Sequence, residues 1–124
     1  MVSSKARVQR KAQANAPTHV KRRMLSAHLS DELREKYGAR AVRVCKDDTV
    51  VVVRGDSDIR GKEGKVISVC TKTGRVSIDG ITNNQADQTE VARFIHASNI
   101  VIVKLNDSDA WRMESISKKK EAKK

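Results

Sequence analysis

Apolar and polar positions along this chain change their period near Ala41. Residues 1–29 show no sustained periodicity: Lys and Arg alternate with Ala, Gln, Asn and Ser. Such a mix cannot bury enough apolar surface to order itself, which predicts an arm that stays mobile until bound. Ser30 then stands where a helix N-cap belongs, Asp31 and Glu32 suit the positive end of a helix, Lys36 suits the other end, and Gly38 can take the left-handed C-cap conformation. The spacing predicts a two-turn helix near 31–37. A helix that short is marginal in water, so Leu29, Leu33 and Tyr37 are expected to dock on the body or on a partner.

From Ala41 onward, short β-branched runs separated by turn residues predict strands at 42–45, 49–54, 65–71, 75–79, 90–96 and 100–105. Thr73-Gly74 reads as a tight hairpin turn, and Asp79-Gly80 as the end of the fourth strand. Several short strands with Gly-rich turns predict a mainly β fold, a small antiparallel barrel rather than an α/β arrangement. After Leu105 the strand pattern stops. Asp107 is expected to cap a short helix carrying Trp111, Met113 and Ile116 before a lysine-rich tail, with Trp111 as a hydrophobic plug rather than a base-stacking platform, since no second aromatic accompanies it. The expected organisation is therefore a basic extension over 1–40, a β body over 41–105 and a helix with basic tail over 106–124.

Charge sharpens this picture. Of the net +11, residues 1–40 contribute +7, from ten Lys/Arg against three Asp/Glu, and residues 118–124 contribute +4, while 41–117 is neutral. A neutral body with basic arms is the layout expected of a small fold whose arms follow a polyanion, and nucleic acid is the first candidate. A membrane surface would require lipid-facing apolar residues or a lipidation signal beside the basic cluster, and neither is visible. No apolar run approaches a membrane span, and no apolar segment follows the N-terminal charges as in a secretory signal. Residues 1–30 are free of acid and carry four Ser, which also resembles an organellar transit peptide; Pro17 and the Lys21-Arg22-Arg23 cluster would interrupt the continuous amphipathic helix such a peptide needs.

Few residues offer chemistry. Cys45 and Cys70 lie in Val-rich surroundings without CxxC pairing, which predicts buried, reduced thiols in a cytoplasmic protein. Asp47 and Asp48 are adjacent, so on a strand they point to opposite faces and are poorly placed to share a substrate. His19, His28 and His96 stand in three unlike contexts with no partner at useful spacing. The expectation is no enzyme, no metal, no cofactor and no small-molecule substrate.

The sharpest local pattern runs from Lys46-Asp47-Asp48-Thr49 through Val50–Val53, Arg54 and Gly55 to Asp58-Ile59-Arg60-Gly61-Lys62-Glu63-Gly64-Lys65-Val66. Physically it is a strand, a loop punctuated by glycines and a second strand, with Arg60, Lys62 and Lys65 on the turn. Asp56, Asp58 and Glu63 dilute its positive charge. The segment resembles a KOW motif, found in several ribosomal proteins and in transcription elongation factors of the NusG and Spt5 type. The flanks choose between those. Arg10-Lys11-Ala12, Ala16-Pro17, Lys21-Arg22-Arg23, Ser26–Ser30 and Glu32–Gly38 resemble the N-terminal extension of the universal large-subunit ribosomal protein family numbered twenty-four in bacteria and archaea and twenty-six in eukaryotes. Gln85-Ala86-Asp87, Thr89-Glu90-Val91, Ile95-His96, Ser98–Val101, Leu105-Asn106 and Trp111-Arg112-Met113 continue the likeness, and the long extension looks archaeal. Departures are a loop at Asp56–Arg60 about two residues longer than usual for the family, and Gln88, Phe94 and Ala97 where glycine or proline is more typical.

The resemblance implies an SH3-like β-barrel that binds large-subunit rRNA near its 5′ region, joins the subunit early in assembly and sits near the nascent-chain exit. Neighbouring large-subunit proteins and nascent-chain targeting factors are the further partners it implies. The residues expected to hold RNA phosphates are Lys5, Arg7, Arg10, Lys11, Lys21, Arg22 and Arg23 on the arm, then Arg34, Lys36 and Arg40, then Arg54, Arg60, Lys62 and Lys65 on the body; shape rather than base identity would supply specificity. A KOW-type transcription elongation or RNA-processing factor is the alternative. Such factors carry a further folded domain that 40 basic residues cannot supply.

Overall fold

A computed structural model describes residues 3–122. Its centre is a seven-stranded sheet in the order β2-β1-β7-β3-β4-β5-β6. The strands are β1 (Ser26–Leu29), β2 (Ala41–Arg43), β3 (Thr49–Val52), β4 (Glu63–Cys70), β5 (Arg75–Asn84), β6 (Glu90–His96) and β7 (Ile100–Lys104). The class is mainly β, as the β-branched runs predict, but the sheet is open. Strands β2 and β6 form its two edges.

Alternation of side chains explains which residues face inward. In β3, Val50 and Val52 are fully buried, and in β7 Ile100 and Ile102 are too. The two strands are paired antiparallel with Val50 opposite Ile102 and Val52 opposite Ile100, so four aliphatic side chains meet on one face. Burying each of them contributes about 1.5–3 kcal/mol relative to leaving it in water. Val66, Val76 and Ile78 extend this core across β4 and β5.

Three features depart from the sequence reading. Leu25, Ala27 and Leu29 are core residues, and β1 pairs antiparallel with β2 and parallel with β7, so the extension lends the sheet a strand and the sheet is not wholly antiparallel. Asp79-Gly80 does not end a strand: β5 runs on to Asn84, and the register against β6 shifts between Ser77 and Thr82, a bulge that lets Gly80 take φ +80°. The arm is helical where the sequence predicts no element, with α1 (Ala6–Asn15) and α2 (Thr18–Met24) on either side of Pro17. Neither helix buries a residue. Good intrinsic helix formers (Ala, Arg, Gln, Lys) carry α1 rather than an apolar face, which is why periodicity does not reveal it.

The expected helix is present as α3 (Asp31–Tyr37), with Gly38 left-handed at its C-cap. The last helix, α4 (Ala110–Ala122), runs through the lysine-rich segment instead of stopping before it. Asp109, not Asp107, begins it: the Asp109 carboxylate accepts a hydrogen bond from the Trp111 amide at 3.0 Å, which satisfies a donor of the first turn. Trp111 is not a plug. It is 82 % exposed, while Met113 and Ile116 of the same helix pack on the core.

Two glycines, one in the β3–β4 loop and one in β4, separate two kinds of constraint. Gly61 has φ +86° with open space around a would-be Cβ, whereas Gly64 lies so close to β5 that a Cβ would stand 2.6 Å from the Asp79 carbonyl oxygen. Gly61→Ala should therefore cost about 1 kcal/mol of backbone strain. Gly64→Ala should cost about 2 kcal/mol or more through collision. Lys62→Ala, at an exposed site, should stay within about 0.5 kcal/mol of the wild type. Denaturant midpoints of the three variants test that order, and a Gly61 variant as stable as the Lys62 variant would show that the positive φ carries no constraint.

Candidate nucleic-acid interface

On α1, Arg7, Arg10 and Lys11 stand at i, i+3 and i+4, so they share one face of the helix, with Lys5 at its N-cap. No acid occurs within residues 1–30. Ion pairs among the described residues join Arg34 to Asp31, Arg93 to Asp56, Arg112 to Asp48 and Lys118 to Glu114, which leaves every cation of the arm without a described carboxylate partner. Lys21 donates from Nζ to the Ala14 carbonyl at 3.2 Å, where the C-terminal end of α1 is electronegative. Arg22 and Arg23 are exposed in the last turn of α2.

The arm helices and the β4–β5 turn enclose a cleft lined by Arg10, Lys21, Lys72, Gly74 and His96. Nothing in the sequence singles out Lys72, one lysine between two threonines; only the fold brings it to the arm. The His96 ring accepts a hydrogen bond from the Ser98 amide at 3.2 Å and so caps the short 3-10 turn of Ala97–Asn99.

A second group surrounds α3. Arg34 and Lys36 are exposed in its last turn, and Arg40 is exposed just before β2. Arg34 and Asp31 are 3.9 Å apart and both exposed, too loose a pair to hold the arginine from another anion. The Lys36 ammonium lies 5.2 Å from the Tyr37 ring centroid, within cation–π range. Lys120 of α4 donates to the Lys36 carbonyl at 2.8 Å, so this lysine of the tail holds α4 against the end of α3.

The third group is the loop between β3 and β4, which carries Arg54, Arg60 and Lys62, with Lys65 exposed on β4. The loop is compact. Ile59 is buried beneath it, the Arg60 amide donates to the Asp56 carbonyl at 3.0 Å, and the Gly61 amide donates to the Val52 carbonyl at 2.7 Å. Asp56, which dilutes the loop's positive charge in the sequence, is paired with Arg93 of β6. This loop and the β4–β5 turn sit at opposite ends of β4, whose eight residues span about 26 Å at the usual rise. The predicted cations thus form three clusters rather than one patch.

Neither thiol is fully buried. Both cysteines are free and half-buried; burial pushes the Cys45 thiol pKa up, while hydrogen bonds from Thr73 hold the Cys70 thiol pKa down. Among the described residues no group of His, Cys, Asp and Glu could hold a metal ion, and no helix is long and apolar enough to cross a membrane.

Comparison with known proteins decides the family. The model of the family that unites eukaryotic ribosomal proteins L26 with their archaeal L24 counterparts matches residues 3–119. The chain belongs to this family. This makes it a ribosomal protein, not an enzyme, and its place is the cytoplasmic ribosome. A relative from Sulfurisphaera tokodaii, named large ribosomal subunit protein uL24, is 47 % identical over 99 % of this chain and 90 % of its own length. Proteins of the same name from Saccharolobus solfataricus, 47 % identical over 97 % of the chain and 99 % of the relative, and from Methanosarcina barkeri, 46 % identical over 95 % of the chain and 100 % of the relative, agree with it. The archaeal look of the extension is thus matched by archaeal relatives of this ribosomal family.

Proposed function

We propose that the chain is a structural constituent of the large ribosomal subunit that binds large-subunit rRNA near its 5′ region, supports early assembly and lies near the nascent-chain exit. The observation that carries this reading is the acid-free arm, whose cations have no carboxylate partner among the described residues and precede a stretch, 41–117, without net charge. Uncommitted cations on exposed helices displace condensed counterions from RNA, and they do so without reading bases. Lys5, Arg7, Arg10, Lys11, Lys21, Arg22 and Arg23 are the primary phosphate contacts. Arg34, Lys36 and Arg40, and then Arg54, Arg60, Lys62 and Lys65, extend the contact over the other two clusters.

In this division of labour the extension of residues 1–40 carries most of the RNA contact, and the body of 41–105 adds its loop cluster and sets the spacing. Neighbouring large-subunit proteins are its protein partners, and the acidic residues Asp79, Asp87 and Glu90 are the face open to nascent-chain targeting factors. Sedimentation of native lysate through a sucrose gradient tests the reading. Stoichiometric retention on the large subunit after a high-salt wash is expected; release by salt, or co-migration with polymerase, would replace it with a transient KOW-type factor.

A further inference from the structure

We infer that Trp111 and the cationic groove beside it form a site for one unpaired RNA base and its phosphate, an inference that rests on the RNA-binding reading above. Trp111 is the only tryptophan of the chain, and the fold leaves the residue 82 % exposed although the helix supplies Met113 and Ile116 to the core. Successive residues of a helix are rotated by about 100°, so with Arg112 turned inward the indole of Trp111 stands on the flank of α4. Its backbone is held firmly. The Trp111 amide donates to Asp109, and the neighbouring Arg112 makes a two-point ion pair with Asp48. A fixed backbone leaves only the two side-chain torsions of the tryptophan to be ordered when it binds.

The groove identifies what would cover the ring. Between edge strand β2 and α4 lies a cavity of about 590 Å³, with Arg23, Arg43, Lys119 and Trp111 among its lining residues. Asp109 is also in the lining and brings one negative charge against the three cations, while Arg112 is neutralised by Asp48. The free charge of the groove is positive, so its occupant is anionic. A nucleotide satisfies both features, because the base presents a flat face to the indole and the phosphate meets the guanidinium and ammonium groups. The base must be unpaired, since a base within a duplex has no free face. Arg23 belongs both to this groove and to the acid-free arm, which makes the site continuous with the proposed RNA path.

The full chain tests this directly, because indole emission reports on Trp111 alone. With a single-stranded oligoribonucleotide as probe, binding should quench that emission, and Trp111→Ala should weaken binding about tenfold, with Trp111→Phe in between. With a blunt RNA duplex, Trp111→Ala should bind as the wild type does. The thermal midpoint of Trp111→Ala should stay close to that of the wild type, since the residue is 82 % exposed. Single-strand binding with unchanged emission and no loss in Trp111→Ala would overturn the site while leaving the RNA-binding reading standing. Equal quenching by poly-glutamate would overturn it in favour of an acidic protein segment, and failure of both RNAs to bind the wild type would remove the RNA-binding reading and this site together.

Discussion

Asp48→Ala will lower the stability of this fold by about 3–5 kcal/mol, the cost of leaving a buried cation without its partner. Asp48 is fully buried, and its two carboxylate oxygens accept from the two terminal nitrogens of Arg112 at 2.7 and 2.6 Å. The same carboxylate accepts from the Cys45 amide at 3.0 Å and the Asn106 amide at 2.8 Å, while Arg112 also donates to the Arg43 carbonyl at 2.9 Å. One ion pair therefore fastens the turn before β3, the exit of β7, edge strand β2 and helix α4 to each other. With a total stability of about 5–15 kcal/mol for a domain, such a loss consumes a large share, and the thermal midpoint should fall by about 10–20 °C.

The double variant separates the pair from the packing. If the charges are coupled, Asp48→Ala with Arg112→Met will be less damaging than the sum of the two single changes, by about 2 kcal/mol or more, because no unpaired charge remains. Additive effects would show that packing alone holds α4. Burial pulls the Arg112 pKa down, but its hydrogen bonds to Asp48 and the Asp48 charge outweigh burial and the net direction is upward. A raised cation pKa adds stability that is complete below the unfolded value and is lost only as pH rises through the folded one. For an arginine that window is strongly alkaline, so Arg112 contributes no stability change across neutral pH.

Nothing in the sequence announces this pair. Asp48 stands at the entrance of a valine run, where a carboxylate reads as a turn residue, and its partner lies 64 positions downstream. The strands from β2 to β7 were legible because they are short runs rich in β-branched residues, separated by turn residues. Strand β1 was not: Ser26-Ala27-His28-Leu29 has only two apolar positions, and they are core residues only because β2 and β7 flank them. The rotation of α4, and with it the exposure of Trp111, depends on which aspartate starts the helix, and one turn offers both Asp107 and Asp109. Gln88 adopts φ +65°, a conformation glycine takes freely, and no local pattern of the sequence marks it. Of the candidate interface, the charge layout was readable from composition along the chain, because acid-free segments need no tertiary structure to be noticed. The approach of Lys72 to the arm and the pairing of Asp56 with Arg93 are products of topology alone.

Deleting residues 1–23 will flatten the salt dependence of RNA binding more than any other single change. The deletion removes seven cations: Lys5, Arg7, Arg10, Lys11, Lys21, Arg22 and Arg23. If each neutralises one phosphate, the slope of log affinity against log salt should decrease in magnitude by about 5, at roughly 0.7 to 0.9 per contact. The truncated chain should still fold, because α1 and α2 bury no residue and the core begins at Leu25, so a preserved cooperative thermal transition is the control. Replacing Arg54, Arg60 and Lys62 together by alanine can reduce the slope by no more than about 3 on the same basis. The ratio of the two changes therefore ranks the arm against the β3–β4 loop. A slope unaffected by the deletion and reduced by the triple replacement would move the electrostatic anchor from the arm to the sheet, and with it the orientation of the whole body on RNA.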